Sequence, residues 1–280
     1  IYIKTALDDV LVTEGENQTP ALTKDTPTLE YTLPNEGDVT LYYGTQEDFV
    51  SAWYGDGTAT GYYIRTAEEL ANFAQLVNSE NDFSGKTITL GKNIVLDGSD
   101  WTPIGTKDNP FKGTFNGRNG STYYTISGLN GDLFGVVNGI IQYVTIDGGK
   151  GRLVGELKSG KVENCMSTAK VDSSDENAAV GGLVGMAETN ATVSSSYYYN
   201  ADSINVPAVG GSGTVTNCFY LAETSTFGAK SSDNGARTAD EFKLGRVAYE
   251  LRKTYDAWVY DTTKTEKMPQ LGSSSATATM

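Results

Sequence analysis

Hydrophobic and polar positions in the second half of the chain repeat as a short phrase. The motif is a leucine, then a valine or phenylalanine, then a glycine, and its three clear copies end at Gly135, Gly155 and Gly185. After each glycine come a polar link and a strand that begins with valine or isoleucine. A fourth, eroded copy ends at Gly210, so the glycines are 20, 30 and 25 residues apart. That spacing is typical of the successive turns of a solenoid.

Short strands also precede this repeat. They lie between Thr87 and Leu129, and each is bounded by Gly, Asn, Asp or Pro. The segments between them are too short for the crossover helices of an ordinary parallel sheet, which take a dozen or more residues. We therefore predict an all-β fold in which parallel strands wind into a single-stranded β-helix.

Two amphipathic segments interrupt the strands. Thr66 and Glu69 form a capping box, and apolar residues then recur at helical spacing, which predicts a helix over about residues 67–78. We expect it to cap the open first turn of the solenoid. A second capping box, Thr238 with Glu241, begins a predicted helix over Ala239–Lys253, and two short strands after it close the domain.

The pattern divides the chain into three parts. Residues 1–45 form a lead-in with two candidate strands, at 1–3 and 29–33. Residues 46–272 form the capped β-helix domain, and the small residues of 273–280 form a flexible tail.

Composition and charge narrow the range of partners. The 280 residues carry a net charge of −14, and none of them is histidine. An acidic surface repels phosphate, so we expect no nucleic-acid partner and no attraction to anionic lipid. No apolar run approaches the about 18 residues of a membrane span, so we expect no membrane insertion. Without histidine, the chain lacks the commonest general base and the commonest metal ligand.

The aligned repeat also places the two cysteines. Cys165 and Cys218 fall in one column with Ser196 between them, so they are two turns apart. At the strand spacing of a sheet this separation is about 10 Å, beyond the reach of a disulfide. We predict two free thiols in the core. In the preceding column, Asn164 and Asn217 are predicted to form bends whose side chains bond to the backbone and to one another.

A series of short sequence motifs, listed here in chain order, covers about three quarters of the chain, from Gly61 to Leu271. They are Thr66–Leu70 running to Val77-Asn78, Phe83–Thr87, Trp101–Gly105, Phe111–Gly117, the Leu-Phe/Val-Gly repeats and the two Asn-Cys pairs. This region resembles the GLUG-motif β-helix modules of bacterial surface proteins, which occur in gut commensals and beside IgA-protease-type metalloproteases of Gram-positive bacteria.

The resemblance implies a right-handed β-helix within a larger secreted or surface-anchored protein, often an adhesin, and it brings no catalytic residues. The chain departs from the family at two positions. Asn116 stands where the family usually has aspartate, and Gly120–Ile126 is longer than its counterpart. We interpret both departures as changes in a structural turn.

Acidic side chains are candidates for a polysaccharide lyase or glycoside hydrolase. Asp132, Asp147 and Glu156 lie on neighbouring turns, and glycoside hydrolysis needs two carboxylates about 5 Å or about 6.5–9.5 Å apart. They occupy non-equivalent repeat positions, and no basic residue accompanies them consistently, so we expect no catalysis and keep the enzyme as the alternative. The loop Asp172–Asn177 is a candidate calcium site, although it lacks the alternation and glycine of a known calcium loop.

Aromatic side chains give the functional hypothesis. The aligned strands stack Met166, Tyr197 and Phe219 in one column, and place Tyr220 and Tyr199 in the next two columns. Because successive strand residues point to opposite faces, at least one aromatic column is predicted to reach solvent. Tyr197, Tyr199 and Tyr220 are therefore the candidate ligand surface, for glycan or for a surface protein of host or bacterium. A stabilising ladder, or a column covered by the C-terminal helix, would explain the same aromatics without a ligand.

The sequence thus predicts a non-enzymatic extracellular or cell-surface module, either an adhesin-like domain or a rigid spacer. A purely structural stalk is a further alternative. Apart from the candidate calcium ion, we expect no cofactor.

Overall fold

The computed structural model describes residues 2–5, 11–12, 41–44, 53–54, 59–79, 81–171, 181–226, 234–260 and 265–272. The chain forms two compact units, residues 1–58 and 59–280. In the first unit, β1 (Tyr2–Thr5), β2 (Leu11–Val12) and β3 (Leu41–Gly44) pair antiparallel in the order β2-β1-β3. The predicted strand at 29–33, the candidate calcium loop and the tail lie outside the described residues.

The described residues of the second unit are mostly β, with one large parallel sheet of 14 strands and few helices. Its strands pair in three ladders. The first contains β4 (Gly61–Ile64), β5 (Thr87–Leu90), β7 (Thr114–Asn116), β12 (Ile140–Gln142), β14 (Val154–Glu163), β16 (Val184–Tyr198) and β18 (Thr214–Leu221). The second contains β6 (Ile94–Val95), β10 (Thr125–Ser127), β13 (Thr145–Asp147), β15 (Met166–Ser167), the ends of β16 and β18, and β19 (Gly235–Arg237). The third contains β11 (Phe134–Val137), the beginnings of β14 and β16, and β17 (Val209–Gly211).

The register of the third ladder reproduces the sequence repeat. Phe134 pairs with Val154, Val154 with Val184, and Val184 with Val209. These partners are separated by the same 20, 30 and 25 residues as the repeat glycines, so the predicted alignment is confirmed. The mostly-β, parallel character predicted from the short connections is confirmed as well.

Apolar side chains at equivalent positions stack to form the interior. Ile88 pairs with Phe115, Phe115 with Ile141, Ile141 with Val162, and Val162 with Val193. All five side chains have zero exposure. Full burial of each such side chain stabilises the fold by about 1.5–3 kcal/mol, so every repeat adds to the free energy of unfolding through this column.

The first helix, α1 (Ala67–Asn78), has the predicted bounds. Thr66 Oγ1 accepts from the Glu69 N–H at 3.1 Å, while the Glu69 carboxylate accepts from the Arg65 N–H at 2.6 Å. The buried stripe centres on Phe73, whose ring centroid lies 5.0 Å from that of Phe83 and 5.5 Å from that of Phe111. The Phe73 ring also stacks on that of Phe115 in β7, with the centroids 6.0 Å apart. The helix therefore covers apolar side chains of the early part of the second unit, as its pattern predicts.

The C-terminal helix predicted over Ala239–Lys253 is wrong in one respect, because the structure has two helices there. They are α2 (Ala239–Lys243) and α3 (Arg246–Arg252), and the break is at Gly245, whose φ of 83° is left-handed. The predicted capping box at Thr238 is confirmed. A two-stranded antiparallel sheet, β20 (Trp258–Val259) with β21 (Gln270–Leu271), follows the helices.

Two columns of small polar side chains behave as predicted. Cys165 and Cys218 are buried free thiols, and the Cys165 N–H donates to Ser196 Oγ at 3.0 Å. In the bend column, Asn164, Ser195 and Asn217 have left-handed φ values of 51°, 47° and 54°. Asn217 Nδ2 donates to Ser195 Oγ at 3.2 Å, so side chains bond along the column.

Candidate functional site

A groove of about 750 Å³ lies between α1 and the segment 95–102. From the helix, the groove is lined by a stripe that includes Ala67, Ala71 and Gln75, on the side away from buried Phe73. This stripe follows from the sequence, since residues four apart lie on one face of a helix. Small alanine side chains leave the space open between the helix backbone and the facing segment.

The facing segment is shaped by a tight turn after β6. Asp97 accepts hydrogen bonds from the Ser99 N–H at 2.9 Å and from Ser99 Oγ at 2.5 Å, and Gly98 between them has a left-handed φ of 80°. These hydrogen bonds from Ser99 hold the pKa of Asp97 below its usual value. Asp97 therefore stays ionised at the rim of the groove.

Trp101 forms an aromatic wall of the groove. Its indole Nε1 donates to the Leu133 carbonyl at 3.1 Å, and its backbone N–H donates to the Asn130 carbonyl at 2.8 Å. Asp100 beside it accepts from Asn130 Nδ2 at 3.0 Å. These bonds fix the half-buried ring against the segment 130–133, so the wall is preformed.

The last residue of α1 fixes the other side. Asn78 Nδ2 donates to the Pro103 carbonyl at 3.0 Å, and Asn78 Oδ1 accepts from the Gly105 N–H at 2.8 Å. The Asn78 carbonyl also accepts from Asn109 Nδ2 at 2.8 Å. The end of α1 is thus tied by three hydrogen bonds to residues 103–109, which follow the facing segment.

The charge of the groove is negative. Glu68, Asp97 and Asp100 line it, and none of the lining residues is Lys or Arg. Exposed Val95, with 72% of its surface accessible, adds an apolar patch. An aromatic ring, a small apolar area and several oxygen acceptors form a surface suited to a hydroxyl-rich ring, which has apolar faces and hydroxyl donors.

The structure places the three predicted tyrosines differently from one another. Met166 pairs with Tyr197 and Tyr197 with Phe219, so the predicted column is confirmed. Tyr197, however, is 1% exposed, and its ring lies against Phe242 and Trp258 with centroids 5.5 Å and 5.6 Å away. The prediction that Tyr197 presents a ligand surface is therefore wrong, because the C-terminal helices cover this column.

The other two tyrosines are half-buried. Tyr199 contacts the ring of Phe242 edge to face, with the centroids 4.9 Å apart. Tyr220 pairs with Tyr198, whose ring is fully buried and whose hydroxyl donates to the Ala169 carbonyl at 3.0 Å. A ligand-binding role for Tyr199 and Tyr220 stays a prediction.

Two of the three predicted carboxylates lie in different ladders, and the third, Asp132, lies in no strand. Asp147 ends β13 in the second ladder, where it accepts from Thr168 Oγ1 at 3.3 Å, whereas Glu156 lies on β14 in the third. Asp132 accepts from the Arg152 N–H at 2.9 Å and lies 3.4 Å from Arg152 Nη1. Sequence reasoning missed this arginine, whose side chain reaches back across one repeat.

Two further features concern metal ions and membranes. Within the described ranges, no three Cys, Asp or Glu side chains converge in a way that could hold a metal ion. No helix among those residues is both long and apolar enough to cross a membrane.

Comparisons with known proteins give one structural similarity. No family model and no curated protein matches the chain. The crystal structure of a "putative immunoglobulin A1 protease" from Bacteroides ovatus is similar to it with a TM-score of 0.41 and 16% sequence identity. That similarity covers 75% of this chain and 92% of the other. What the structure itself establishes is the class, a mostly-β protein built on a large parallel sheet, and membership of the GLUG-motif family stays a prediction.

Proposed function

We propose that the second unit is a right-handed parallel β-helix that acts as a non-enzymatic, glycan-binding module of a bacterial secreted or surface protein. Three parallel ladders support the winding: β16 takes part in all three, and β14 takes part in two while β15, which follows it, takes part in the other. Each of these repeats therefore contributes one strand segment to each ladder. The extracellular location rests on the resemblance to GLUG-motif modules.

The groove between α1 and 95–102 is the proposed binding site. The observation that carries the proposal is the fixed indole of Trp101 facing small helix side chains, with Glu68, Asp97 and Asp100 around it. A sugar ring laid against the indole would bury apolar C–H groups while its hydroxyls donate to these carboxylates. The uncompensated negative charge favours neutral or amine-bearing sugars over acidic ones.

A glycan array, probed with and without calcium, tests this function. We expect binding to neutral or amino sugars, abolished by Ala71→Trp, which fills the groove from an exposed helix position. Ala201→Trp places the same side chain at an exposed turn elsewhere and is expected to bind normally. Glu68→Gln is expected to weaken binding, whereas Glu223→Gln, also exposed, is the matched charge control.

Retained binding in Ala71→Trp would exclude the groove as the site. Silence across the array would favour the stalk or spacer instead. Binding abolished by alanine at Tyr199 and Tyr220, with Ala71→Trp unaffected, would favour the tyrosine surface predicted from sequence.

A carbohydrate-active enzyme remains the second candidate because three carboxylates line one groove. A glycoside hydrolase needs one of them as a proton donor, and the lowered pKa of Asp97 makes this side chain unsuited to that role. Release of reducing ends from any bound glycan, lost in Asp100→Asn and Glu68→Gln, would establish the enzyme.

A further inference from the structure

An arginine is held between two tyrosine rings on a short hairpin of the second unit. The hairpin consists of β8 (Arg118–Asn119) and β9 (Thr122–Tyr123), and Arg118 pairs directly with Tyr123. The guanidinium carbon of Arg118 lies 5.2 Å from the ring centroid of Tyr123 and 5.7 Å from that of Tyr143. The two rings are 5.9 Å apart at an angle of 70°. This hairpin is the segment in which the sequence departs from the GLUG pattern.

The guanidinium is fixed, but its outer end is open. Arg118 Nε donates to the Gly120 carbonyl at 2.7 Å, which orients the plane of the group. Its terminal nitrogens make no hydrogen bond or ion pair with any residue in the described part of the chain. In a chain with a net charge of −14, an oriented cation without a carboxylate partner is unexpected.

The acidic side chains around this cluster are already paired. The Glu163 backbone carbonyl accepts from the Tyr143 N–H at 3.1 Å, and the Glu163 carboxylate lies 2.8 Å from Lys161 Nζ. Asp256, which interacts electrostatically with Tyr123, lies 3.0 Å from Arg252 Nη2. Each carboxylate therefore has its own cation, and the charge of Arg118 is left uncompensated. The position differs in this respect from the acidic groove beside Trp101.

Tyr143 also stands out within its own column. It occupies the left-handed bend position that Asn164 and Ser195 occupy in the next two repeats, with a φ of 56°. Asn is tolerated there because its short polar side chain bonds locally, whereas a bulky side chain is a conformational outlier. Asn164 and Ser195 are fully buried, but the Tyr143 ring is half-exposed and lies over the guanidinium.

We propose that Arg118, Tyr123 and Tyr143 form a second binding site, which recognises the carboxylate of an acidic pyranose. The terminal N–H groups of a guanidinium match the two oxygens of a carboxylate in a bidentate pair. The flanking tyrosines supply apolar area for the sugar ring and hydroxyl groups for its rim. One cation balances one negative charge, which favours a carboxylate over a doubly charged phosphate.

The site does not depend on the groove, so its test is separate. The probe is trigalacturonate, compared with its methyl ester, which has the same ring and no carboxylate charge. Titration calorimetry on the full chain is expected to show binding of the acid and at least about tenfold weaker binding of the ester. Binding of the acid is also expected to weaken as salt is raised.

Substitution of the arginine tests the bidentate geometry. Arg118→Lys keeps a cation between the rings but removes the planar fork, and we expect about tenfold weaker binding with an unchanged melting temperature. The matched control is Arg65→Gln, because Arg65 also lies over a tyrosine, with its guanidinium carbon 5.4 Å from the Tyr63 ring centroid. This variant is expected to bind the acid normally.

Three results would overturn the proposal. They are equal binding of acid and ester, wild-type affinity in Arg118→Lys, and no binding of trigalacturonate by the wild-type chain. Inorganic phosphate and a glutamate-rich peptide serve as competitors. Displacement by either at concentrations similar to trigalacturonate would indicate a general anion site and contradict recognition of the sugar.

Discussion

Asn164 connects the repeat to the C-terminal segment, and its replacement gives a sharp test of how the two are held together. The residue has zero exposure and a φ of 51°, and its Oδ1 accepts from the buried Trp258 Nε1 at 3.1 Å. Two variants distinguish the effect of backbone strain on stability from the effect of losing the hydrogen bond. Asn164→Gly removes the acceptor but adopts a left-handed φ freely, whereas Asn164→Ala removes the acceptor and is strained there.

The expected losses follow from these two effects. Loss of the acceptor leaves the indole N–H buried without a partner, which costs about 1–3 kcal/mol. Asn164 Nδ2 is itself buried and has no hydrogen-bond partner among the described residues. Its removal returns part of the cost, so the loss of stability in Asn164→Gly is expected near the lower end of that range. Asn164→Ala adds the left-handed strain, about 1–2 kcal/mol. We therefore expect the alanine variant to be less stable than the glycine variant by about that amount.

Urea unfolding followed by far-UV circular dichroism measures both losses. A double-mutant cycle with Trp258→Phe, which removes the indole donor, is expected to give a coupling energy of about 1 kcal/mol. Equal stability of the alanine and glycine variants would refute the argument from backbone strain. Strict additivity with Trp258→Phe would refute the hydrogen bond as the connection between the two segments.

Two further predictions concern the interior. Phe73→Ala, which empties the centre of the aromatic cluster under α1, is expected to cost about 3–5 kcal/mol in urea unfolding, whereas Gln75→Ala on the exposed face is expected to change stability by less than about 0.5 kcal/mol. Burial raises the pKa of Cys218 to about 12 and also raises that of Cys165. The unfolded thiols therefore lose protons first, and stability is expected to fall from pH 8 to pH 9.5 by about 1 kcal/mol per thiol, a slope that Cys→Ala variants remove. Both thiols are expected to resist alkylation in the folded chain and to react in urea; a Cys165–Cys218 disulfide under non-reducing conditions would contradict this.

Local signals in the sequence predict much of the fold. The bounds of α1 follow from one capping threonine and one apolar stripe, and the strand register follows from the repeated glycines, since both depend on residues close in sequence. The break at Gly245 was missed because the apolar positions on either side of it continue at helical spacing. A glycine in a helical pattern lowers helix stability without fixing whether the helix ends there.

Coverage of the Tyr197 column by the C-terminal helix was one alternative from the sequence, but local signals could not decide between it and an exposed column. Its column was correctly aligned, but its environment depends on Phe242 and Trp258, which are 45 and 61 residues further along the chain. Alternation along a strand says which side chains share a face and does not say what covers that face. The covering segment has its own apolar stripe, so the match between the two could be recognised only once both were placed.

Both candidate sites lie where a non-repeating element meets the repeat. Equivalent positions in successive repeats have nearly the same surroundings. A column of such positions therefore repeats one local environment and does not by itself form a distinct binding site. The helix α1 beside Trp101, and the hairpin that carries Arg118 beside Tyr143, each break this equivalence at one position. The repeat aligns the stacked tyrosines, whereas both proposed sites include segments that connect or cap the repeats. In a repetitive scaffold, the segments that depart from the pattern are therefore the first places to search for ligand contacts.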